Sequence, residues 1–230
     1  MSAQYPLPLP HREAMEADDF MVASSNQEAI AWLDKFPAWP SHCMIVYGPT
    51  GSGKTHLANV WRARSGGTPL TPPELIAQSA TALSEGGSKI MIDGADQIAG
   101  DAKAEEALFH LFNALRDAKG FLLLTGSKPP AQWNIQLPDL RSRLLAATAV
   151  AITAPDDDLL SALFVKQFRD RQIDVSMDVV DYLLPRVTRT PGSIRDIVTA
   201  LDRASLSEGR GITVALARKL LQDQSFPQAQ

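Results

Sequence analysis

The sequence is poor in residues that form disulfides or metal clusters. Cys43 is the only cysteine among 230 residues, and it lies in an apolar run. This excludes a disulfide framework and a thiolate metal cluster, and it is typical of a reducing compartment, so we expect a cytoplasmic protein. His42, His56 and His110 are scattered, with no paired carboxylate or cysteine at ligand spacing, and we expect none of them to bind a metal.

The sequence also lacks an excess of basic residues and a long apolar segment. Lys and Arg number 22 against 26 Asp and Glu, so the net charge of −4 gives no general attraction to nucleic acid. The longest nearly unbroken apolar stretch, 144–152, is far shorter than the roughly 20 residues of a membrane-spanning helix. Prolines stand where a signal peptide has its hydrophobic region. We therefore expect no export and no membrane anchor.

Residues 21–154 are predicted to form an α/β domain. Short apolar runs, which are typical of strands, alternate here with segments of helical periodicity. The predicted strands are 44–47, 90–92, 121–124 and 147–152, and the clearest helices are 54–64 and 103–118. This alternation favours a parallel sheet flanked by helices.

Two further helices in this domain are predicted from capping signals. Ser25, with Glu28 three residues later, forms a capping box before a helix that is expected to end near Phe36. Thr71 is followed by two prolines and Glu74, which predicts a helix with proline at its first position.

The two ends of the chain differ from this domain. After Pro155, helix signals follow one another with no strand between them, which predicts a small all-helical domain over 155–223. Its predicted helices are 159–171, 177–187, 193–206 and 213–221. Residues 1–20 contain prolines and no helical period, so we expect an extended tail, and residues 224–230 are expected to be a flexible C-terminus.

The clearest functional motif is a phosphate-binding loop. Residues 48–55 match G-x-x-x-x-G-K-[ST] between a predicted strand and a predicted helix. Backbone N–H groups of such a loop converge on phosphate, Lys54 neutralises phosphate charge, and Thr55 can ligate Mg²⁺. We therefore expect ADP or ATP with Mg²⁺ as cofactors. The predicted nucleotide contacts in this segment are Gly48, Pro49, Thr50, Gly51, Ser52, Gly53, Lys54, Thr55 and His56.

A second anchor for magnesium is expected after the strand 90–92. Asp93 ends this apolar run, where a carboxylate can hold the ion through its water shell, so Thr55 and Asp93 are the predicted metal residues. Gly94 follows, at the position where ATP-hydrolysing P-loop proteins usually carry a water-orienting carboxylate. Asp96 can substitute only if the loop bends back.

The strand 121–124 is followed by residues that can sense the nucleotide. Thr125 and Ser127 are both candidates for the polar group between nucleotide and attacking water. Neutral hydroxyls are not strong bases near pH 7. We therefore expect weak or no ATP hydrolysis by this chain alone.

Several segments together resemble one protein family. Residues 124–144 and 201–205 are similar to the Hda family, AAA+ regulators that inactivate the bacterial replication initiator DnaA, and 18–26 resembles the start of the nucleotide site shared by Hda and DnaA. The resemblance extends from residue 4 to about 222. It implies an AAA+ fold, with a P-loop base of parallel strands followed by a helical lid.

The resemblance also implies roles for three arginines. Arg143 matches the arginine finger that reaches the ATP of a neighbouring subunit, and we expect it to project from the surface with few contacts in its own chain. Arg141, two residues away, is the competing candidate. Arg195, after Pro191 and a predicted helix start, matches the lid arginine that senses the subunit's own nucleotide.

The tail resembles a peptide that binds the bacterial sliding clamp. Gln4, Leu7 and Leu9 match the Gln-x-x-Leu-x-Leu pattern by which Hda-type proteins hold the β clamp of DNA polymerase III. Two leucines can enter an apolar pocket while the glutamine makes hydrogen bonds at its rim. The clamp and DnaA are therefore the partners that the resemblance implies.

Three functional hypotheses follow. The first is a nucleotide-bound, clamp-tethered negative regulator that stimulates ATP hydrolysis on DnaA in trans through Arg143. The second is a DnaA-like nucleic-acid-binding ATPase or helicase loader, and the third is a clamp-binding adaptor in which the nucleotide is structural. The chain ends at Gln230 without a helix-turn-helix domain, so we expect no sequence-specific duplex binding. Homo-oligomerisation is left open.

Overall fold

The structure is a computed structural model that describes residues 21–223 and divides into two compact units. The first contains residues 21–50 and 54–153, and the second contains 51–53 and 154–223. The predictions made for 1–20, including Gln4, Leu7 and Leu9, and for 224–230 lie outside the described residues. None of the helices within 21–223 is long and apolar enough to cross a membrane.

The first unit is built on a parallel sheet of five strands, in the order β2-β3-β4-β1-β5. The strands are β1 (Cys43–Tyr47), β2 (Thr68–Pro69), β3 (Lys89–Ile92), β4 (Phe121–Gly126) and β5 (Thr148–Ala151). The prediction of a parallel α/β sheet is therefore confirmed. The two-residue strand β2 is too short to leave an apolar pattern, and the sequence did not predict it.

Both faces of this sheet are buried, which explains why its central strands are continuous apolar runs. In β1, Cys43 and Ile45 pack into one core layer, whereas Met44 and Val46 pack into the other. Side chains alternate between the faces of a strand, so four consecutive apolar residues supply both layers. Complete burial also raises the pKa of the Cys43 thiol.

Six helices cover the sheet within the described part of this unit. They are α1 (Gln27–Asp34), α2 (Lys54–Ser65), α3 (Pro72–Ala77), α4 (Ala80–Ser84), α5 (Ala102–Asp117) and α6 (Pro138–Ala146). Residues of α1 and α2 pack in one core layer, and residues of α3, α5 and α6 pack in the other. The P-loop helix and the helix over 103–118 are therefore confirmed.

One capping prediction is wrong and the other is confirmed. α1 begins after Asn26 rather than after Ser25, because Ser25 is buried and its carbonyl accepts a hydrogen bond from the N–H of Thr153. At α3, Glu74 accepts hydrogen bonds from the N–H and the hydroxyl of Thr71, as the capping pattern predicted.

The second unit is a bundle of helices. Its α-helices within the described residues are α7 (Asp157–Arg169), α8 (Met177–Leu183), α9 (Pro191–Glu208) and α10 (Val214–Asp223). They enclose an apolar core that includes Phe164, Phe168 and Leu183. Thr190 caps the start of α9 by accepting the N–H of Ser193, and Pro191 occupies the first turn, where proline is common.

Candidate functional site

The P-loop connects the end of β1 to the start of α2. Gly51 and Gly53 adopt φ values of +79° and +98°, which side-chain-bearing residues rarely adopt. The Nζ of Lys54 donates to the carbonyls of Gly48 and Pro49, each at 2.8 Å. Burial lowers the pKa of Lys54, although the nearby carboxylates of Asp93 and Asp96 counteract this by attracting the ammonium.

One polar atom of the P-loop is left unsatisfied. The Oγ of Ser52 is buried, and no residue in the described part of the chain hydrogen-bonds to it. Buried hydroxyls normally have a partner. An unpaired hydroxyl in a loop of this pattern fits a site that receives a polar ligand.

Asp93 lies at the centre of the site, where the ends of β3 and β4 meet α2. Its Oδ2 accepts the hydroxyl of Thr55 at 2.8 Å, and its Oδ1 accepts the hydroxyl of Thr125 at 2.5 Å. Ile92 pairs with Leu124 in the parallel register, so the next residues along the two segments, Asp93 after β3 and Thr125 within β4, lie side by side. Thr125 is 1% exposed and also accepts the N–H of Gly94. The structure therefore brings the predicted metal pair together and fixes the carboxylate from the other side.

The loop after Asp93 bends back toward β4. Gly94 adopts φ +69° at the start of a 3₁₀ turn, Ala95–Ile98, that carries Asp96. The Oδ2 of Asp96 accepts both the N–H of Ser127, at 2.8 Å, and its hydroxyl. The two sensor candidates thus differ, because Thr125 contacts Asp93 and Ser127 contacts Asp96.

Arg143 does not project freely from α6, contrary to our expectation. Its side chain is half-buried, and its guanidinium carbon lies 5.1 Å from the ring centroid of Phe109 and 5.8 Å from that of Phe112. Its Nε is buried, and no hydrogen bond or ion pair from the described residues reaches the guanidinium. Arg141 is exposed. The aromatic contacts arise because α5 and α6 pack against each other.

His42 lies beside this arginine. Its Nε2 is 3.0 Å from the carbonyl of Phe112, and its ring meets the Phe112 ring edge to face at 4.4 Å. Burial is the main cause that lowers the pKa of His42, and repulsion by Arg116 and Arg143 lowers it further.

This proximity gives a test of where Arg143 lies. Arg143→Met removes one of the repelling charges, so the pKa of His42 is expected to rise while staying below its ordinary value, because burial remains. Titration of the His42 ring signals by NMR measures the change. Arg141→Met is the matched control and is expected to leave this pKa where it is. An identical His42 titration in wild type and Arg143→Met would contradict the described position of Arg143.

The remaining predicted residues occupy separate places. His56 is exposed in the first turn of α2, and Arg195 is exposed in α9, where its guanidinium has no hydrogen bond or ion pair within the described residues. A second lid arginine, Arg189, is instead engaged within its own unit, with Asp157 at 2.6 Å and the carbonyl of Pro155 at 3.0 Å. Of these two arginines, Arg195 is therefore the one whose guanidinium has no partner within the described residues.

Sequence reasoning missed Glu105. This α5 carboxylate is 1% exposed and accepts the N–H groups of Gly100, Gln136 and Leu137 at 2.7–3.1 Å. The last two donors lead directly into α6, which carries Arg143. The available signal was an acidic residue at a buried position of an otherwise amphipathic helix.

Residues 156–221 match the family model described as "Hda, lid domain". Domain III of the replication initiation protein DnaA from Thermotoga maritima is similar in structure, with a TM-score of 0.74 and 20% identity over 90% of this chain and 95% of that chain.

Two further solved structures share the fold. AMPPCP-bound DnaA from Aquifex aeolicus has a TM-score of 0.69 and 18% identity over 83% of this chain and 65% of that chain. A RuvB variant from Thermotoga maritima has a TM-score of 0.68 and 15% identity over 86% of this chain and 68% of that chain. The parallel sheet, the helical lid and these similarities confirm the expected AAA+ fold. Residues 156–221 are therefore similar to the Hda lid domain, and the chain shares the AAA+ fold of DnaA domain III.

Proposed function

We propose that this chain is a nucleotide-bound regulator of replication initiation that stimulates ATP hydrolysis on a neighbouring DnaA molecule through Arg143. The observation that carries the proposal is the set of contacts that surrounds the Arg143 guanidinium. This guanidinium is held against Phe109 and Phe112, while no described residue engages its N–H groups. A guanidinium whose donors are unpaired suits an anion supplied by another molecule.

ADP or ATP is the proposed ligand of the chain's own P-loop. The unpaired Oγ of Ser52 and the partly buried ammonium of Lys54 suit phosphate oxygens. The similar DnaA structure from Aquifex aeolicus is bound to AMPPCP, which supports an adenine nucleotide here. Arg195 is the lid residue proposed to contact it, because its guanidinium is exposed and has no partner among the described residues.

Magnesium fits the same place. The hydroxyl of Thr55 and a carboxylate oxygen of Asp93 are adjacent, and both are hard oxygen donors. Within the described residues there is no group of three or more His, Cys, Asp or Glu that can hold a metal, so phosphate and water oxygens have to complete the coordination. Bound Mg²⁺ would neutralise charge on the phosphates, while Thr125 keeps Asp93 oriented.

Hydrolysis by the chain alone is proposed to be weak. Gly94 has no side chain with which to orient water, and the Asp96 carboxylate is already bound by the N–H and hydroxyl of Ser127. Thr125 gives its hydroxyl hydrogen to Asp93. The chain is therefore better suited to supply an arginine to another active site than to act as an ATPase itself.

One assay decides between the functional hypotheses. ATP hydrolysis on DnaA is followed while this protein, the β clamp and DNA are added in turn. We expect acceleration when all are present, and its absence in every combination contradicts the proposal. A nucleic-acid-binding ATPase is the second candidate, because one DnaA of similar fold is bound to AMPPCP and single-stranded DNA. Hydrolysis by this chain with single-stranded DNA, without DnaA, favours that candidate.

The same assay tests the proposed tether. A protein without residues 1–10, which include Gln4, Leu7 and Leu9, is expected to lose clamp binding and clamp-dependent acceleration. Its melting temperature and its response to ADP are expected to match those of the full chain. Clamp binding by the shortened protein would place the interface elsewhere.

Lys54→Ala is expected to remove stabilisation by ADP. A ligand at 100 times its Kd stabilises the folded state by about 2.7 kcal/mol. For a chain of this size, each kcal/mol raises the melting temperature by roughly 2–4 °C. The substitution removes the ammonium proposed to meet the phosphates, so thermal unfolding with and without ADP measures the effect.

The variants are compared by the change in melting temperature that ADP causes, and not by the melting temperature itself. The reason is that Lys54 also donates to two P-loop carbonyls, so its loss can lower the melting temperature without ADP. Lys103→Ala, at an exposed position in α5, is the matched control and is expected to keep the full ADP response. A full response from Lys54→Ala would refute the site assignment.

A further inference from the structure

One face of α5 makes three contacts that converge on α6. Glu105, Phe109 and Phe112 are spaced four and three residues apart, so they lie on successive turns of the same side of the helix. Glu105 binds the backbone N–H groups of Gln136 and Leu137, where the chain enters α6. This fixes the position at which α6 begins.

The two aromatic residues hold the arginine one turn and a half further along α6. The guanidinium carbon of Arg143 lies within about 6 Å of both ring centroids, the range in which a cation is attracted to an aromatic face. Phe112 is almost fully buried and therefore fixed by the core, whereas Phe109 is half-buried. The buried Nε shows that the inner part of the guanidinium is enclosed.

The rings of Phe109 and Phe112 against which Arg143 lies are called the aromatic seat below. Contact with this seat differs from an ion pair in what it leaves the N–H groups of the arginine free to bind. A carboxylate would occupy the N–H donors and would have to be displaced before they could bind a phosphate. A ring face attracts the cation through its π electrons and leaves the donors unpaired. The hydrogen bonds and ion pairs of the described residues include none to this guanidinium, in agreement with such a seat.

We propose that Phe109 and Phe112 are positioning residues that hold Arg143 ready for a phosphate oxygen on a neighbouring molecule. This rests on the proposed function, in which Arg143 acts in trans. Glu105 sets where α6 starts, and the two rings set where the guanidinium lies. Without the aromatic face, the long side chain samples other rotamers and meets the phosphate less often.

The test compares two substitutions at Phe109 in the full chain. Phe109→Leu keeps an apolar side chain but removes the ring, whereas Phe109→Tyr keeps the ring. With Phe109→Leu, the maximal stimulated rate on DnaA is expected to fall about 3- to 10-fold, while the protein concentration that gives half of the maximum stays unchanged. Phe109→Tyr is expected to retain the wild-type rate. A purely structural role of Phe109 would not lower the maximal rate while leaving the half-maximal protein concentration unchanged.

A second measurement does not depend on stimulation. The Nε–H of Arg143 is buried, so its NMR signal is expected to exchange slowly with water in wild type and in Phe109→Tyr, and to exchange fast in Phe109→Leu. The signal is assigned by its loss in Arg143→Lys. Slow exchange in Phe109→Leu would overturn the proposed seat, whatever the activity.

A failure of the positioning proposal can be distinguished from a failure of the proposed function. If wild type stimulates DnaA, Arg143→Ala abolishes the effect, and Phe109→Leu equals Phe109→Tyr in rate, the positioning proposal is wrong and the proposed function stands. If wild type gives no stimulation, or if Arg143→Ala stimulates fully, the proposed function is wrong.

Discussion

Arg143→Ala is expected to lower stimulated ATP hydrolysis on DnaA by about 10³-fold or to background, because an arginine finger contributes roughly 10³ to 10⁵ in rate. The reason is electrostatic, since the guanidinium stabilises charge that develops on the transferring phosphoryl group. Single-turnover hydrolysis on DnaA, at saturating clamp and DNA, measures the loss. The ADP response of the variant is expected to remain, because the P-loop contacts of Lys54 do not involve α6.

The structure changes what this variant should do to stability. An arginine with few contacts would leave the melting temperature unaffected, but Arg143 lies against Phe109 and Phe112. Loss of such a contact costs about 0.5–1 kcal/mol at a partly exposed site. A small decrease in melting temperature is therefore expected, too small to unfold the protein at the assay temperature.

Arg141→Ala is the internal control for the finger. Arg141 is exposed two residues away, so its loss removes a charge of the same sign without emptying the aromatic seat. We expect most of the stimulation to survive. If Arg141→Ala abolishes stimulation while Arg143→Ala preserves it, the finger has been assigned to the wrong arginine; if both variants stimulate fully, the adaptor hypothesis replaces the activator.

Glu105→Gln is expected to destabilise the first unit strongly. The carboxylate accepts three backbone N–H groups at a buried position, and a hydrogen bond to a charged group is worth about 1.5–3 kcal/mol. Glutamine replaces one acceptor oxygen with an NH₂ group that faces these donors. We expect the free energy of unfolding to fall by about 3 kcal/mol and the melting temperature by roughly 6–12 °C.

The measurement can be made specific to this unit. Trp32, Trp39, Trp61 and Trp133 are the four tryptophans of the chain, and all lie in the first unit, so urea unfolding followed by tryptophan fluorescence reports on it. Glu106→Gln is the matched control. The Glu106 side chain is 70% exposed, and its contact with His110 is a long one, 3.7 Å from Oε1 to the Nε2 of His110. Surface changes of this kind usually alter the free energy of unfolding by less than about 0.5 kcal/mol. Equal unfolding midpoints for the two variants would contradict the anchoring role.

Local pattern accounts for most of the elements that the sequence predicted. β1, the P-loop and α2 form one continuous segment whose strand, glycines and helix are each determined by nearby residues. The adjacency of Asp93 and Thr125 also follows from the sequence once the sheet is parallel, because neighbouring parallel strands end at one edge. The wrong cap at α1 shows the limit, since Ser25 is withdrawn from capping by a contact with distant Thr153.

The sequence by itself therefore determined the fold class, the phosphate-binding loop and the carboxylate beside it, and it predicted which arginine is the candidate finger. Tertiary structure alone decided how these groups are held. Glu105 and Gln136 are 31 residues apart, as are Asp96 and Ser127, and the seat of Arg143 depends on the packing of α6 against α5. Periodicity and capping report interactions within a few residues. Contacts between segments that are separated by a strand and a turn leave no such local pattern, so only the folded chain shows that its candidate finger rests on two aromatic rings with its donors unpaired.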